Sequence, residues 1–338
     1  MVIGNLVTNS RNTMQRLIIK NFLLLIVSSL FLSGCAKNIP NQSVTIENVP
    51  VDSGKEEIAS QDIKEPIRIL FVGDMMFDRH IREAVGKYGG GNYNYPLASL
   101  KEKLAEYDLV VGNLEGPITD NESVSAGTKI GEGKNFVFTF DPAVASVLAE
   151  NNIKIVNLGN NHILNQGAGG VDQTKKRLDA AGVQYFDDSN DLETSFPSGK
   201  VSFVGYNYSE SGSEERAIEN IKLAKEKSDL VIVCPHWGTE YKTGDPGPAV
   251  RNMARKFVDA GADAVIGTHP HVVQASEEYN GKKIYFSLGN FVFDQYFQKE
   301  TMEGLGVEMT IEPDGVLEYR ELKFEMTKRG QTIFKAGP

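Results

Sequence analysis

Seven short, almost uninterrupted apolar runs recur from Pro66 onward: "IRILFVG", "DLVVGN", "IKIVNLGN", "VSFVGYN", "DLVIVCPHW", "DAVIGTHP" and "KIYFSLGN". A strand with one wet face alternates apolar and polar residues, whereas a strand covered on both faces reads as a continuous apolar run. Between the runs lie helix-like stretches with their own punctuation. "DPAVASVLAENN" offers Asp141 as an N-cap with Pro142 at the first helical position, and "GGVDQTKKRLDAAG" and "PAVRNMARKFVDAGA" both close on glycine. Buried strands alternating with helices predict a layered α/β domain. One segment breaks the rhythm: "GVEMTIEPDGVLEYRELKF", residues 306–324, alternates and turns at "PDG", which predicts a β-hairpin.

The first 65 residues belong to a different regime. Arg11, Arg16 and Lys20 precede "FLLLIVSSLFL", residues 22–32, an apolar run too short to span a bilayer but suited to a signal-peptide core. It ends in "LSGC", residues 32–35, which resembles the bacterial lipobox, so that Cys35 is the expected lipidated first residue of the mature chain. Met14 is an alternative start that gives the signal peptide more usual proportions. Residues 1–34 read as a lipoprotein signal peptide, residues 35–65 as the lipidated cysteine and a polar, flexible tether, and residues 66–338 as the folded domain. The expected location is the extracytoplasmic face of the cell membrane, held by the lipid. Only one other cysteine exists, Cys234, within an apolar run, so an intrachain disulfide to it is not expected and a buried thiol is. The net charge of −10 argues against a general grip on nucleic acid.

The polar residues that carry chemistry cluster at the carboxyl ends of the apolar runs, where α/β proteins form their clefts. Asp74, then Asp78 and Arg79, follow the first run; Glu115 the second; Asn161 and His162 the third; His236 the fifth; His269 and His271 the sixth; Asn290 and Asp294 the seventh. Four of the five histidines lie in such places, and the fifth, His80, falls in the helix expected after Arg79. Each residue alone has an ordinary reading. Asp74 could cap a helix, Asn161 could serve a turn, His236 beside the only tryptophan could be a core histidine, and Asp78 could pair with Arg79. Recurrence at one end of so many runs points to a single site. Carboxylate, carboxamide and imidazole together suit borderline divalent ions such as zinc, manganese or iron. Asp74, Glu115, Asn161, His236, His269 and His271 are the expected ligands for one or two ions, with Glu115 placed to bridge. His162 is the expected general acid, and Arg79 or Asn290 the expected substrate-orienting group.

The blocks "VGDMMFDR", "NLEGPIT", "LGNNHILNQGAGGVDQT", "HWGTEY", "GTHPHVVQ" and "YFSLGNFVFDQ" together resemble the bacterial capsule-synthesis CapA family, associated with poly-γ-glutamate. That family is in turn similar to calcineurin-like metallophosphoesterases. The resemblance implies a four-layer α-β-β-α sandwich with the predicted β-hairpin near the C-terminus, and a role in synthesis or export of a capsule polymer beside its synthase complex. It also implies that Asp74, Glu115, Asn161-His162, His236 and His269/His271 match the phosphoesterase metal motifs. Two departures stand out. The Asp-x-His motif reads Asp74-Met75-Met76, and a thioether is a poor ligand for a borderline ion. Asn165 stands where many relatives carry a carboxylate. One ion site is therefore expected to be well furnished, with His269 among its ligands, and the other, served by His271, to be poorer. Three functions fit the sequence: a metal-dependent hydrolase acting on a phosphoester or an amide, a non-catalytic polymer-binding or scaffolding lipoprotein, and a phosphoesterase acting on an unrelated substrate. A solute-binding lipoprotein would have no use for the clustered histidines.

Overall fold

Ile67, Ile69 and Phe71 alternate with Leu70 and Val72 along the first strand, and all five are buried, the two sets in different cores. That one strand therefore separates two hydrophobic layers, as its continuous apolar sequence predicts. The structure is a computed structural model and describes residues 65–129, 131–197 and 199–336. The expected signal peptide, Cys35 and residues 36–64 of the expected tether lie outside the described residues.

Fourteen strands are present among the described residues: β1 (Ile67–Met75), β2 (Leu109–Leu114), β3 (Ile153–Asn157), β4 (Gln184–Phe186), β5 (Leu192–Phe196), β6 (Gly199–Asn207), β7 (Leu230–His236), β8 (Ala264–Ile266), β9 (Ser276–Tyr279), β10 (Lys282–Tyr285), β11 (Asn290–Val292), β12 (Glu303–Ile311), β13 (Leu317–Met326) and β14 (Thr332–Lys335). The helices are α1 (Arg79–Tyr88), α2 (Lys101–Leu104), α3 (Ala143–Glu150), α4 (Gly167–Ala181), α5 (Ser213–Lys227) and α6 (Pro248–Ala260), with four short 3-10 turns. One sheet runs β14-β13-β12-β1-β2-β3-β4, with β11 joined to β1; the other runs β5-β6-β7-β8-β10-β9. Between them, Ile69, Phe71, Val111 and Ile155 of the first sheet meet Phe203, Ile232 and Ile266 of the second. Residues of α1 to α4 pack on the outer face of the first sheet, and residues of α5 and α6 on that of the second. The order of layers is helix, sheet, sheet, helix, the predicted four-layer sandwich.

Helix ends follow the sequence signals to within a residue or two. Asp141 Oδ1 accepts the Ala143 amide at 2.9 Å, capping α3, and Gly182 closes α4 in the left-handed region at φ 72°. The predicted hairpin exists as β12 and β13, turning through Pro313-Asp314-Gly315. It is not an appendage. β12 pairs antiparallel with β1 from Ile67↔Ile311 to Phe71↔Val307, so the hairpin extends the sheet that carries the site. The parallel strands β1, β2 and β3 point their carboxyl ends the same way, as do β6, β7 and β8 in the other sheet.

A candidate metal centre at the strand ends

Asp74 is placed by two glycines. Its amide donates to Gly289 O at 3.0 Å, and a Cβ on Gly73 would sit 1.9 Å from that same carbonyl. The close approach sets Asp74 level with Asn290 on one side and Asn113 on the other. Asp74 and Glu115 are wholly buried, as are His236 and Asn290, and His269 and His271 nearly so. Residues distant in sequence thus share one water-poor volume, where charge is costly unless matched.

Three donor atoms converge first. His236 Nε2 lies 2.8 Å from Asn161 Oδ1 and 3.0 Å from His269 Nδ1. Atoms bound to one ion at about 2.1 Å sit about 3 Å from one another, so these three have the spacing of a chelate. On the other side of Asp74, His271 Nδ1 lies 3.3 Å from Asp74 Oδ2 and 3.0 Å from Asn290 Oδ1. The Asn290 amide nitrogen donates to Thr301 O at 2.9 Å and Gln295 Oε1 at 3.1 Å, which fixes its oxygen toward His271. His271 therefore carries its proton on Nδ1 and leaves a lone pair on Nε2. That nitrogen is 3.5 Å from Glu115 Oε1, an oxygen with no hydrogen-bond donor. Asp74, Glu115 and His236 form one group able to hold an ion, and Glu240, His269 and His271 form another. The donor chemistry and the orphaned carboxylate oxygen both fit a divalent cation.

The electrostatics of the protein alone say the same. Burial, then the charge of Asp74, pushes the Glu115 carboxyl well above the usual carboxylate range. Burial pushes His269 down to about 3 and His236 well below its ordinary value. The centre thus disfavours both carboxylate and imidazolium charge unless an added cation compensates.

His162 packs on Phe138 with ring centroids 4.3 Å apart, and its Nε2 is 3.9 Å from Glu115 Oε1. Its Nδ1 lies 3.1 Å from Asn165 Oδ1, which also accepts the Phe138 amide at 2.7 Å. An amide oxygen held in that way requires the proton on Nδ1. Burial lowers the His162 pKa to about 4, so the ring is neutral near pH 7 with its Nε2 lone pair toward the centre.

Several expectations meet different geometry. Asp78 and Arg79 do not pair with each other: Asp78 binds Arg82 at 2.9 Å, Ser125 at 2.8 Å and the Thr139 amide at 2.9 Å, and is consumed by them. Asp78 therefore does not replace the missing histidine. Arg79 pairs with Asp294, donates to Asn135 at 3.1 Å and lies against Phe138 and Phe293, so it lines the site with its charge already matched. Asn290 was expected to orient substrate, but its hydrogen bonds are spent on protein groups and it orients His271 instead. Met76 is fully buried, and its sulfur accepts the Asp78 amide at 3.0 Å. His80 stands on α1 with an exposed side chain. Asp74 lies within the last residues of β1 rather than beyond it.

Two residues escaped the sequence reading. Asn113 Nδ2 donates to Asp74 Oδ1 at 2.8 Å and sits 3.2 Å from His236 Nδ1, tying a carboxylate to an imidazole. Glu240 enters from the loop after β7, beside His269 and His271. A polar residue inside an apolar run signals the first, and a carboxylate four residues past His236 the second. The backbone marks the site as well. Of six non-glycine residues with positive φ among the described residues, four surround it: Arg79, Tyr241, His269 and His271. Such conformations cost roughly 1–3 kcal/mol each and persist where the surroundings impose them. A cleft of about 530 Å³ adjoins the centre, lined by Arg79, Glu83, Asn135, Glu240, Tyr241 and Asp294 among others.

The fold and the cluster together define a four-layer α/β protein built round a carboxylate–imidazole centre. Residues 68–295 match the family described as bacterial capsule synthesis protein PGA_cap, and this chain belongs to that family. It is 31% identical over 258 residues to the capsule biosynthesis protein CapA of Bacillus anthracis, covering 68% of this chain and 61% of that protein. It is 31% identical over 250 residues to the PGA biosynthesis protein CapA of Bacillus subtilis, covering 67% and 63%. The chain thus spans somewhat over three fifths of these curated relatives. A probable polyglutamine synthesis accessory protein of Mycobacterium tuberculosis is 26% identical over 221 residues, covering 55% of this chain and 56% of that protein. A solved structure from Mycoplasma pneumoniae, described as a novel phosphatase, superposes with a TM-score of 0.44 at 16% identity over 77% of this chain and 94% of that one, a likeness too loose to bear weight.

Proposed function

We propose that this protein is a lipid-anchored, extracytoplasmic participant in synthesis or export of a capsule polymer such as poly-γ-glutamate, acting through a metal-dependent, hydrolase-like centre. One observation carries the catalytic part: the buried Glu115 Oε1 without a donor, facing the free lone pair of His271 Nε2. An ionised carboxylate oxygen left so is stable only with a cation beside it. Asn161, His236 and His269 with Glu115 would hold one ion, and Asp74, Glu115 and His271 a second, with manganese, zinc or iron as suitable choices. When bound, such ions activate water and polarise an ester or amide oxygen.

The chain's own groups do the rest. Asn290 and Asn113 hold His271 and Asp74 in register. His162, with its proton on Nδ1 and a lone pair on Nε2, takes at Nε2 the proton that the attacking water gives up and passes it to the leaving group. Phe138 shields one face of that ring. The adjoining cleft receives the substrate, with Arg79 held rigidly in its wall. Cys35 would carry the lipid, and the capsule polymer or its synthase would be the partner. The relatives described as capsule or polyglutamine synthesis proteins support that assignment.

A second reading, polymer binding without turnover, has one observation in its favour: Met76, where the phosphoesterase pattern has an imidazole, offers no ligand. Metal analysis tests the centre. Wild type from metal-supplemented expression should carry at least one divalent ion per chain, and Glu115→Gln and His236→Ala should lose it. A metal-free wild type would end the hydrolase reading. Assays on phosphodiester and γ-glutamyl amide substrates then separate turnover from binding.

A further inference from the structure

We infer that Glu240 is a ligand of the ion held by His271, making up for the contact that Met76 fails to give. The inference rests on the proposed metal centre and adds a residue to it. Glu240 Oε, a His269 nitrogen and a His271 nitrogen lie within 4.8 Å of one another. The Met76 sulfur is engaged by the Asp78 amide and turned into the core, so that side of the ion has no donor.

The loop that delivers Glu240 is fastened to the histidine turn rather than free. The Tyr241 amide donates to Pro270 O, between the two histidines, at 2.8 Å, and the Tyr241 hydroxyl accepts from Gln295 Nε2 at 3.1 Å. Gln295 in turn accepts from Asn290, the residue that orients His271. Tyr241 takes φ 61°, His269 φ 98° and His271 φ 57°. Gln274 Nε2 also donates to Lys242 O at 2.8 Å, so two hydrogen bonds tie the segment that carries Glu240 to the one that carries the two histidines, with three strained residues between them. Glu240 is also exposed on the cleft side. The ion it completes is therefore the one that faces incoming substrate, while the Asn161–His236–His269 ion is the enclosed one.

The test uses the full chain, purified in detergent, stripped with chelator and titrated with Mn²⁺, with stoichiometry from elemental analysis and coupling from electron paramagnetic resonance. Wild type should bind two ions with a spin-coupled signal. Glu240→Gln, at an exposed position where the fold should survive (checked by circular dichroism), should keep the enclosed ion and weaken the other by about ten-fold or more, with loss of the coupled signal. Two ions with unchanged affinities in Glu240→Gln overturn the inference and leave the centre standing. A single ion in wild type also overturns it. Absence of any ion in wild type removes the metal centre as well.

Discussion

His162 shows how one neighbour sets what an imidazole can do. Asn165 accepts from Nδ1 and so leaves the lone pair on Nε2, while burial keeps the ring neutral. The same logic governs stability. In the folded, metal-free protein His162 and His269 sit at about 4 and about 3, below the ordinary value near 6.5 of an unfolded chain. The unfolded state then binds more protons below pH 6.5, so stability falls as the pH drops through that window. His162 alone accounts for a loss on the order of 3 kcal/mol by pH 4. Glu115, pushed upward, acts in the opposite sense, so the comparison is made in a Glu115→Gln background that removes it. Urea unfolding in chelator at pH 7 and pH 4.5 should show the drop; equal stabilities would contradict the burial of these rings. Residue identities at the site were legible because His, Asp, Glu and Asn recur at run ends. Their partners were less so: that Arg79 reaches Asp294 and Asp78 reaches Arg82 depends on side-chain direction at the start of α1, where Arg79 takes φ 49°.

At the level of elements, the contact between β1 and β11 decides where Asp74 stands. Gly73 and Gly289 let two backbones meet with no room for a Cβ. Gly73→Ala should therefore cost about 3 kcal/mol, the upper range for overpacking, and displace Asp74 from His271. A thermal melt with a metal titration would reveal both effects; an unchanged melting point and affinity would mean the strands can separate without consequence. Strand identity was plain in the sequence because doubly covered strands read as apolar runs. Helix ends were plain because Asp141 and Gly182 mark them. Pairing across sequence was not. "KIYFSLGN" reads as one strand yet divides into β10 in one sheet and β11 in the other. The predicted hairpin belongs beside β1 only because of a register set over two hundred residues away.

For the molecule as a whole, the candidate ligands and the proposed site of lipid attachment fall in separate parts of the chain. All the candidate ligands lie within residues 74–271, and Cys35 stands well before them. Among the described residues no helix is long and apolar enough to cross a membrane. If Cys35 carries the lipid as proposed, Cys35→Ser should move the protein from the membrane fraction to the soluble one while leaving its metal content intact. Membrane retention of that variant would point to the apolar segment 22–32 as an uncleaved anchor. Cys234 has a bearing on such experiments. It lies in the layer between the two sheets, buried, with its thiol pushed upward by that burial. Once Cys35 is replaced, a cysteine introduced on the rim of the cleft would be the sole thiol open to a maleimide dye. Distances between that dye and a bound ion could then report polymer entering the cleft, in a background the fold itself has silenced.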